Sequence, residues 1–241
     1  MNIWNPWHGC HKISPGCMNC YVYRRDANYE KDSSVVTKTT AFTLPLKKTR
    51  LKQFKLAPPD TVYTCMTSDF FVKDADIWRA EAWEMLKQRS DLMFFIITKR
   101  IDRFLECIPP DWGDGYENVT ICCTVENHDR ADFRLPIFMS VPIKNRFIIC
   151  EPILEAINIS PYLTIEIGGV IAGGESGNDA RVCDYDWILS LCDQCRQRNV
   201  PFTFKQTGRY FKKDEKLYTI ERKFQHAQAK KAGVNFEPNQ V

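Results

Sequence analysis

Six short apolar runs recur along the chain, and each is rich in β-branched or aromatic residues. They are TVYTCMT at 61–67, LMFFIIT at 92–98, NVTICCTV at 118–125, RFIIC at 146–150, GGVIAGG at 168–174 and PFTFK at 201–205. Near-continuous apolar runs of this length are typical of strands that are buried on both faces of a parallel sheet. The pattern therefore predicts six buried strands.

Two segments between these runs have the periodicity of amphipathic helices. In residues 76–89, one face of the predicted helix carries Trp78, Ala82, Met85 and Leu86. In residues 185–198, the equivalent stripe consists of Ile188, Leu191, Cys192 and Cys195. Strands that alternate with helices form right-handed βαβ units. The chain is therefore predicted to be an α/β protein with a mainly parallel sheet, either an open doubly wound sheet or a barrel.

Each apolar run is followed by residues that can bind a ligand or ionise. Because active sites of parallel α/β folds gather at the carboxyl ends of the strands, we expect these residues to converge on one site. The alternative is that a strand leaving the core simply ends in polar residues. The residues that end or follow the runs are Thr67, Ser68, Asp69, Lys99, Arg100, Glu126, Glu151, Gly174, Glu175, Ser176, Lys205 and Gln206.

Three cysteines crowd the N-terminal segment WNPWHGCHKISPGCMNCY. Cys10, Cys17 and Cys20 form a C-x6-C-x2-C motif, and the C-x2-C spacing lets one tight turn bring two sulfurs to one centre. Thiolates are soft ligands for zinc and for iron-sulfur clusters. Three interpretations stay open: a structural zinc site with His8 or His11 as fourth ligand, a 4Fe-4S cluster with one open iron, or packed cysteines without metal.

Six further cysteines are predicted to pack in the core, where cysteine behaves as a small hydrophobe. Two lie on the apolar stripe of the second helix and four within apolar runs. They are Cys192 and Cys195, and Cys65, Cys122, Cys123 and Cys150. The chain has eleven cysteines and no visible secretory signal, so reduced thiols and a cytoplasmic location are expected.

The composition is that of an ordinary globular protein, with 44% apolar and 26% charged residues. No stretch reaches the roughly 18 uncharged apolar residues that a membrane span needs, so no membrane association is expected. No repeat or linker marks a domain boundary. We therefore expect a single domain over 1–241, with an N-terminal cluster-binding loop at 4–21 and a basic C-terminal extension from about 207 to 241.

The net charge of +3 conceals two strongly basic segments on an otherwise acidic chain. Residues 47–55 hold five Lys or Arg and no acidic residue, and residues 205–231 hold nine basic residues against three acidic ones. Such segments indicate a phosphate-bearing partner such as nucleic acid. A solvated charged face is the alternative interpretation.

A series of motifs resembles the radical SAM superfamily. The motifs W-N-P-W-H-G-C-x6-C-x-N-C-Y, T-S-D-F-F, I-I-T-K-R, C-E-P-I-L, G-G-E-S-G and F-K-Q occur in this order between about residues 4 and 210. Together they look most like a phage-associated, radical-SAM-like family whose function is unassigned. The superfamily's usual spacing is C-x3-C-x2-C with an aromatic residue before the last cysteine. Here the first gap is six residues, and Asn19 stands at the aromatic position.

The resemblance implies a partial or full TIM-like (β/α) barrel with a 4Fe-4S cluster on Cys10, Cys17 and Cys20. S-adenosyl-L-methionine would chelate the open iron, and an electron would cleave its sulfonium bond to give a 5'-deoxyadenosyl radical that takes hydrogen from the substrate. Such an enzyme needs an electron donor, and nucleic acid is the favoured substrate class. The alternative is a zinc-stabilised nucleic-acid-binding or phage assembly protein without catalysis.

The resemblance also implies roles for the residues at the strand ends. A glycine-rich group and a second group after the 61–67 run would contact S-adenosylmethionine: they are Gly173, Gly174, Glu175 and Ser176, and Thr67, Ser68 and Asp69. The remaining residues are assigned to the substrate or to support of the site: they are Lys99, Arg100, Glu126, Glu151, Lys205 and Gln206.

Overall fold

The computed structural model describes residues 2–58 and 61–238, and these fall into two compact units. The first unit comprises the described residues of 1–12, 22–122 and 140–145, and the second those of 13–21, 123–139 and 146–241. The boundary divides the cysteine segment, so Cys10 belongs to the first unit and Cys17 and Cys20 to the second. Residues 239–241 of the predicted basic extension lie outside the described residues.

The strands of the described chain include all six that the apolar runs predict. In chain order they are β1 (Asn2–Trp4), β2 (Trp7–His8), β3 (Thr37–Lys38), β4 (Thr61–Thr64), β5 (Met93–Thr98), β6 (Val119–Thr124), β7 (Asn145–Cys150), β8 (Ile167–Gly173), β9 (Cys183–Asp184), β10 (Phe202–Gln206), β11 (Tyr210–Lys213) and β12 (Lys216–Thr219).

Seven of these strands form the main sheet, in the order β1-β4-β5-β6-β7-β8-β10. In the first unit β4 pairs in parallel with β1 and with β5, and Val62 lies opposite Phe94. In the second unit β8 pairs in parallel with β7 and with β10. All six residues of β6 are buried, as expected for a strand covered on both faces. The predicted α/β class with a mainly parallel, partial TIM-like sheet is therefore confirmed.

The strand β1 was not predicted, because three residues are too short to carry a pattern. Its place comes from its parallel pairing with β4 and from the burial of Trp4. The indole Nε1 of Trp4 donates a hydrogen bond to the carbonyl oxygen of Phe42, at 2.9 Å. A long-range contact therefore decides where this strand lies.

Six helices occur in the described part of the chain. They are α1 (Tyr21–Ala27), α2 (Asp76–Gln88), α3 (Phe104–Cys107), α4 (His128–Ser140), α5 (Tyr185–Gln197) and α6 (Arg222–Lys231). The two predicted helices correspond to α2 and α5 and are confirmed. All four residues of the predicted α5 stripe are buried, and the side chain of Asp184 caps this helix by accepting a hydrogen bond from the backbone nitrogen of Asp186.

The helix α4 was not predicted, because it contains Pro136 and proline disfavours helix interiors. Cys65 is buried as predicted, but it does not lie in a strand, because β4 ends at Thr64 and Cys65 has a left-handed backbone with φ of 64°. Cys122, Cys123 and Cys150 do lie in strands, and all are buried as predicted.

Two smaller sheets complete the fold. In the first unit β2 pairs with β3 in antiparallel orientation. In the second unit β11 pairs with β12 in antiparallel orientation and with β9 in parallel, so that β12 is an edge strand. None of the helices in residues 2–58 and 61–238 has the length and apolarity that crossing a membrane requires.

Candidate functional site

Asp69 is the centre of a buried hydrogen-bond network in the first unit. Its carboxylate accepts hydrogen bonds from Thr98 Oγ1 at 2.8 Å and from the backbone nitrogen of Lys99 at 2.9 Å. The Nη1 atom of Arg100 lies 3.3 Å from the same carboxylate. Asp69 follows β4, and the other three residues end or follow β5, so the ends of two neighbouring strands meet in this network.

Arg100 connects this network to the first cysteine. Its Nη1 atom lies 3.4 Å from Cys10 Sγ, and its Nη2 atom donates a hydrogen bond to the carbonyl oxygen of His11 at 2.7 Å. Burial alone would lower the pKa of Arg100, but the charges of Asp69 and Cys10 and their hydrogen bonds raise it above its usual value. A permanently charged guanidinium therefore contacts the cysteine sulfur.

Thr67 and Ser68 hold the backbone of the segment that carries Cys10. Thr67 Oγ1 donates a hydrogen bond to the carbonyl oxygen of Trp7 at 3.2 Å, and Ser68 Oγ donates one to the carbonyl oxygen of Gly9. Gly9 has φ of 94°, and a Cβ atom there would lie 2.2 Å from the carbonyl oxygen of Val35. The hydroxyls of Thr67 and Ser68, two of the residues predicted to contact S-adenosylmethionine, thus contact the cysteine segment.

Glu126, which follows β6, is completely buried in the second unit. Its Oε2 atom pairs with Arg134 Nη1 at 2.7 Å, and Arg134 Nη1 also donates to the carbonyl oxygen of Thr124 at 2.8 Å. Its Oε1 atom accepts a hydrogen bond from the backbone nitrogen of Gly16 at 3.0 Å. A Cβ atom on Gly16 would lie only 3.0 Å from this carboxylate. Glu126 therefore fixes the backbone just before Cys17.

Glu175, which follows β8, binds the same part of the segment. Its Oε2 atom accepts hydrogen bonds from Asn19 Nδ2 at 3.0 Å and from the backbone nitrogen of Arg181 at 2.9 Å. Arg181 Nη2 lies 2.6 Å from the other oxygen and donates to the carbonyl oxygen of Pro15 at 3.0 Å. Burial alone would raise the pKa of Glu175, but hydrogen bonds from Arg181 and Asn19 and the charge of Arg181 hold it below its usual value.

The other predicted residues of the second unit lie at the ends of neighbouring strands. Lys205 Nζ lies 2.7 Å from the Glu151 carboxylate, and Gln206 Nε2 donates a hydrogen bond to the carbonyl oxygen of Gly174 at 3.0 Å. A Cβ atom on Gly174 would lie 2.2 Å from the carbonyl oxygen of Thr207. Gly174 therefore permits the close approach of the Thr207 backbone.

Exposure separates the three cysteines of the motif from the other eight. All eleven lie within residues that the structure describes, and only Cys10, Cys17 and Cys20 are half-exposed. Burial raises the pKa of Cys183 and of Cys195 to about 12. Buried thiols of this kind are inert, whereas the motif cysteines are accessible to a ligand.

The donor set of the motif fits a soft metal or an iron-sulfur cluster in its chemistry, because three thiols are reachable from solvent. Among residues 2–58 and 61–238, no group of three or more His, Cys, Asp or Glu side chains stands in an arrangement that would hold a metal ion. The residues that would hold a cluster are the thiols of Cys10, Cys17 and Cys20.

Both candidate zinc-ligating histidines have one ring nitrogen against a carboxylate. His8 Nε2 lies 2.6 Å from Asp26, whose carboxylate also accepts a hydrogen bond from Ser33 Oγ at 2.5 Å. His11 Nε2 lies 2.7 Å from Asp74. Carboxylate partners of this kind are usual for metal-bound histidines.

Three residues that hold the cysteine segment were missed. Arg134 lies on α4, which the sequence did not reveal, and Arg181 lies in the loop after β8. Asn19 stands directly before Cys20, and its Nδ2 atom donates to Glu175 and to the carbonyl oxygen of Asp179. The signal for Asn19 was its place between two cysteines, since a polar residue there needs a partner.

The two basic segments differ in structure. Residues 47–55 form an exposed turn closed by a bridge between Lys48 and Phe54, and Lys48 Nζ lies 4.9 Å from the centre of the Phe54 ring. Residues 205–231 include part of β10, the β11–β12 hairpin and α6. Four Lys or Arg and no acidic residue occur on α6.

The fold and these contacts define a class: an α/β protein of the partial-barrel kind, whose strand ends bind a cysteine-rich N-terminal segment. The chain belongs to the protein family of unknown function DUF5131, whose model matches residues 1–240. Neither a curated protein nor a solved structure matches the chain.

Proposed function

We propose that this protein is a radical-SAM-like enzyme that binds a 4Fe-4S cluster through Cys10, Cys17 and Cys20 and acts on nucleic acid. The observation that carries the proposal is that side chains at the strand ends contact the cysteine segment within each unit. Arg100 contacts the sulfur of Cys10, and Glu175 binds Asn19 between the other two cysteines.

The protein's own part is to position ligands and to set their charge. Arg100 favours the thiolate at Cys10, because a guanidinium stabilises a negative sulfur. Glu126 and Glu175 fix the backbone and the amide beside Cys17 and Cys20. The chemistry that S-adenosylmethionine and the cluster supply when bound is one-electron cleavage of the sulfonium bond, for which an electron donor is required. The sequence has no obvious acid–base pair, which agrees with a protein that positions the cofactor while the cofactor carries the chemistry.

The exposed basic segments support nucleic acid as the substrate class. Residues 48–55 are all exposed, and α6 carries four Lys or Arg, of which Lys223 pairs with Glu221. Clusters of cations attract phosphate backbones and lose affinity with increasing salt. We therefore propose 47–55 and 205–231 as the electrostatic contact with the substrate.

Anaerobic reconstitution with iron and sulfide tests the cluster. The expected result is a brown protein with the visible absorption of an iron-sulfur cluster, which releases 5'-deoxyadenosine when reduced in the presence of S-adenosylmethionine. Each of Cys10→Ala, Cys17→Ala and Cys20→Ala should lose the cluster. The matched control is Cys192→Ala, which removes a buried thiol on α5 and should keep it.

A second function is favoured by the carboxylate pairs of the two histidines. In that alternative His8 or His11 completes a zinc site with the three thiols, and the protein binds nucleic acid without catalysis. This alternative predicts tight, stoichiometric zinc that is kept in Cys192→Ala and lost in Cys17→Ala. If zinc behaves in this way and no cluster forms after reconstitution, the enzyme proposal is overturned.

A further inference from the structure

A cavity of about 700 Å³ opens in the second unit between the β11–β12 hairpin, the start of α5 and the helix α6. No sequence motif pointed to it. Its lining combines aromatic rings with lysines, and the residues that matter here are Tyr185, Lys213, Tyr218, Phe224 and Lys231. This volume lies within the usual range of ligand pockets, roughly 300–1,000 Å³.

Two of the rings are partly open to solvent, and Lys223 Nζ lies 4.9 Å from the centre of the Phe224 ring. Tyr218 is 44% exposed and Phe224 is 48% exposed, although both residues line the cavity. The strand β12, which carries Tyr218, has no buried residue and is the edge of its sheet. Exposed apolar groups that line a groove often mark a binding site.

The cations of the cavity are available for phosphate. Lys213 and Lys231 form no ion pair with any carboxylate in the described part of the chain, and Lys213 Nζ lies 5.0 Å from the centre of the Tyr185 ring. The acidic lining residue, Glu221, pairs with Lys223 at 3.1 Å. The cavity therefore presents positive charge beside accessible rings.

We propose that this cavity binds single-stranded nucleic acid, with bases stacked on Tyr218 and Phe224 and phosphates on Lys213 and Lys231. Stacking on an aromatic ring requires an unpaired base, and every base has a face that can stack. Duplex nucleic acid offers only phosphates and groove edges to such a cavity, so the rings favour a single strand. The inference rests on the proposed function only for the class of substrate, since binding needs neither a metal nor S-adenosylmethionine.

Fluorescence anisotropy with a labelled oligothymidine of about ten nucleotides tests the proposal on the full chain without metal. Tyr218→Ala combined with Phe224→Ala should weaken single-strand affinity by about tenfold or more, because stacking contributes about 1–3 kcal/mol per base. The matched control is Tyr29→Ala, which removes an exposed ring of the first unit and should leave affinity unchanged. Far-UV circular dichroism should be the same for all variants, because the altered rings are exposed.

The charge contribution is measured separately. Lys213→Gln with Lys231→Gln should lower the slope of log affinity against log salt by about 1–2, because each phosphate contact contributes roughly 0.7 for single strands. The control pair is Lys31→Gln with Lys87→Gln, which removes two exposed cations outside both basic segments and should leave the slope unchanged. Lys48→Gln with Lys52→Gln measures the contribution of 47–55 by itself, and if only this pair lowers the slope, contact through 47–55 replaces the cavity.

Three other outcomes overturn the proposal. The first is equal affinity for a duplex of the same length, and the second is an equal loss of single-strand affinity in Tyr29→Ala. The third is that no oligonucleotide binds, while the protein dimerises with increasing concentration and Tyr218→Ala with Phe224→Ala abolishes the dimer. The last outcome makes the cavity a self-association surface. None of these results depends on the iron-sulfur reconstitution, so failure of the cluster and failure of the cavity are distinguishable.

Discussion

In the first unit a cation contacts the cysteine sulfur itself, whereas in the second unit carboxylates contact the backbone and amide groups around the cysteines. Arg100 lies 3.4 Å from Cys10 Sγ. Glu126 and Glu175 instead bind Gly16 and Asn19. The strand ends therefore meet the cysteines in two ways: a guanidinium contacts a thiol, which is an electrostatic task, and carboxylates bind the surrounding loop, which is a positional task.

The largest expected effect tests the positional task. Glu126→Ala should lower the free energy of unfolding by about 3–5 kcal/mol, because it leaves the buried charge of Arg134 without a partner. Chemical denaturation measures this change. Adding Arg134→Met to Glu126→Ala should recover much of the loss, since the uncompensated charge is then removed.

The control for this experiment is Glu117→Ala, whose carboxylate is 80% exposed and pairs with Lys144 at the surface. Its effect should stay within about 1 kcal/mol. If Glu126→Ala costs no more than this control, the carboxylate does not hold the segment and the comparison between the units fails.

An intermediate effect tests the electrostatic task. Arg100→Gln should slow alkylation of Cys10 by about tenfold, because the thiolate is the nucleophile and the neighbouring cation favours it. Iodoacetamide labelling followed by peptide mass spectrometry measures the rate at each cysteine, and Cys17 and Cys20 serve as internal references. The variant Arg100→Lys keeps the charge and should restore most of the rate. A rate at Cys10 that is unchanged in Arg100→Gln would show that the contact does not influence the thiol.

The smallest expected effect concerns acid stability. The pKa of Glu175 is below its ordinary value of 4.5, so the ionised carboxylate stabilises the fold above the unfolded pKa and loses this contribution as the pH falls through the folded pKa. Arg181 is partly exposed, so the contribution is about 1 kcal/mol. Glu175→Gln should therefore flatten the dependence of the unfolding free energy on pH in the acid range. A slope identical to that of the parent would contradict this assignment.

Sequence patterns located the elements better than the contacts of the site. The six buried strands and the helices α2 and α5 could be predicted because periodicity is a local property of the chain. Neighbouring strand ends lie together within each unit, whereas convergence of all six on one site stays a prediction. Their partners could not be predicted, since Gly16 and Glu126 are separated by 110 positions and Asn19 and Glu175 by 156.

The sequence by itself determined the α/β class, the buried strands and the distinction between packed cysteines and motif cysteines, because these depend on spacing and apolarity. Only the tertiary structure decided that Arg100 contacts a thiol, that Glu126 is buried against Arg134, and that Tyr218 and Phe224 line one cavity. Arg100 and Cys10 are 90 positions apart, and the other two pairings, although closer in sequence, depend on how helices and strands pack. Their energies come from burial and close approach, which no local pattern records.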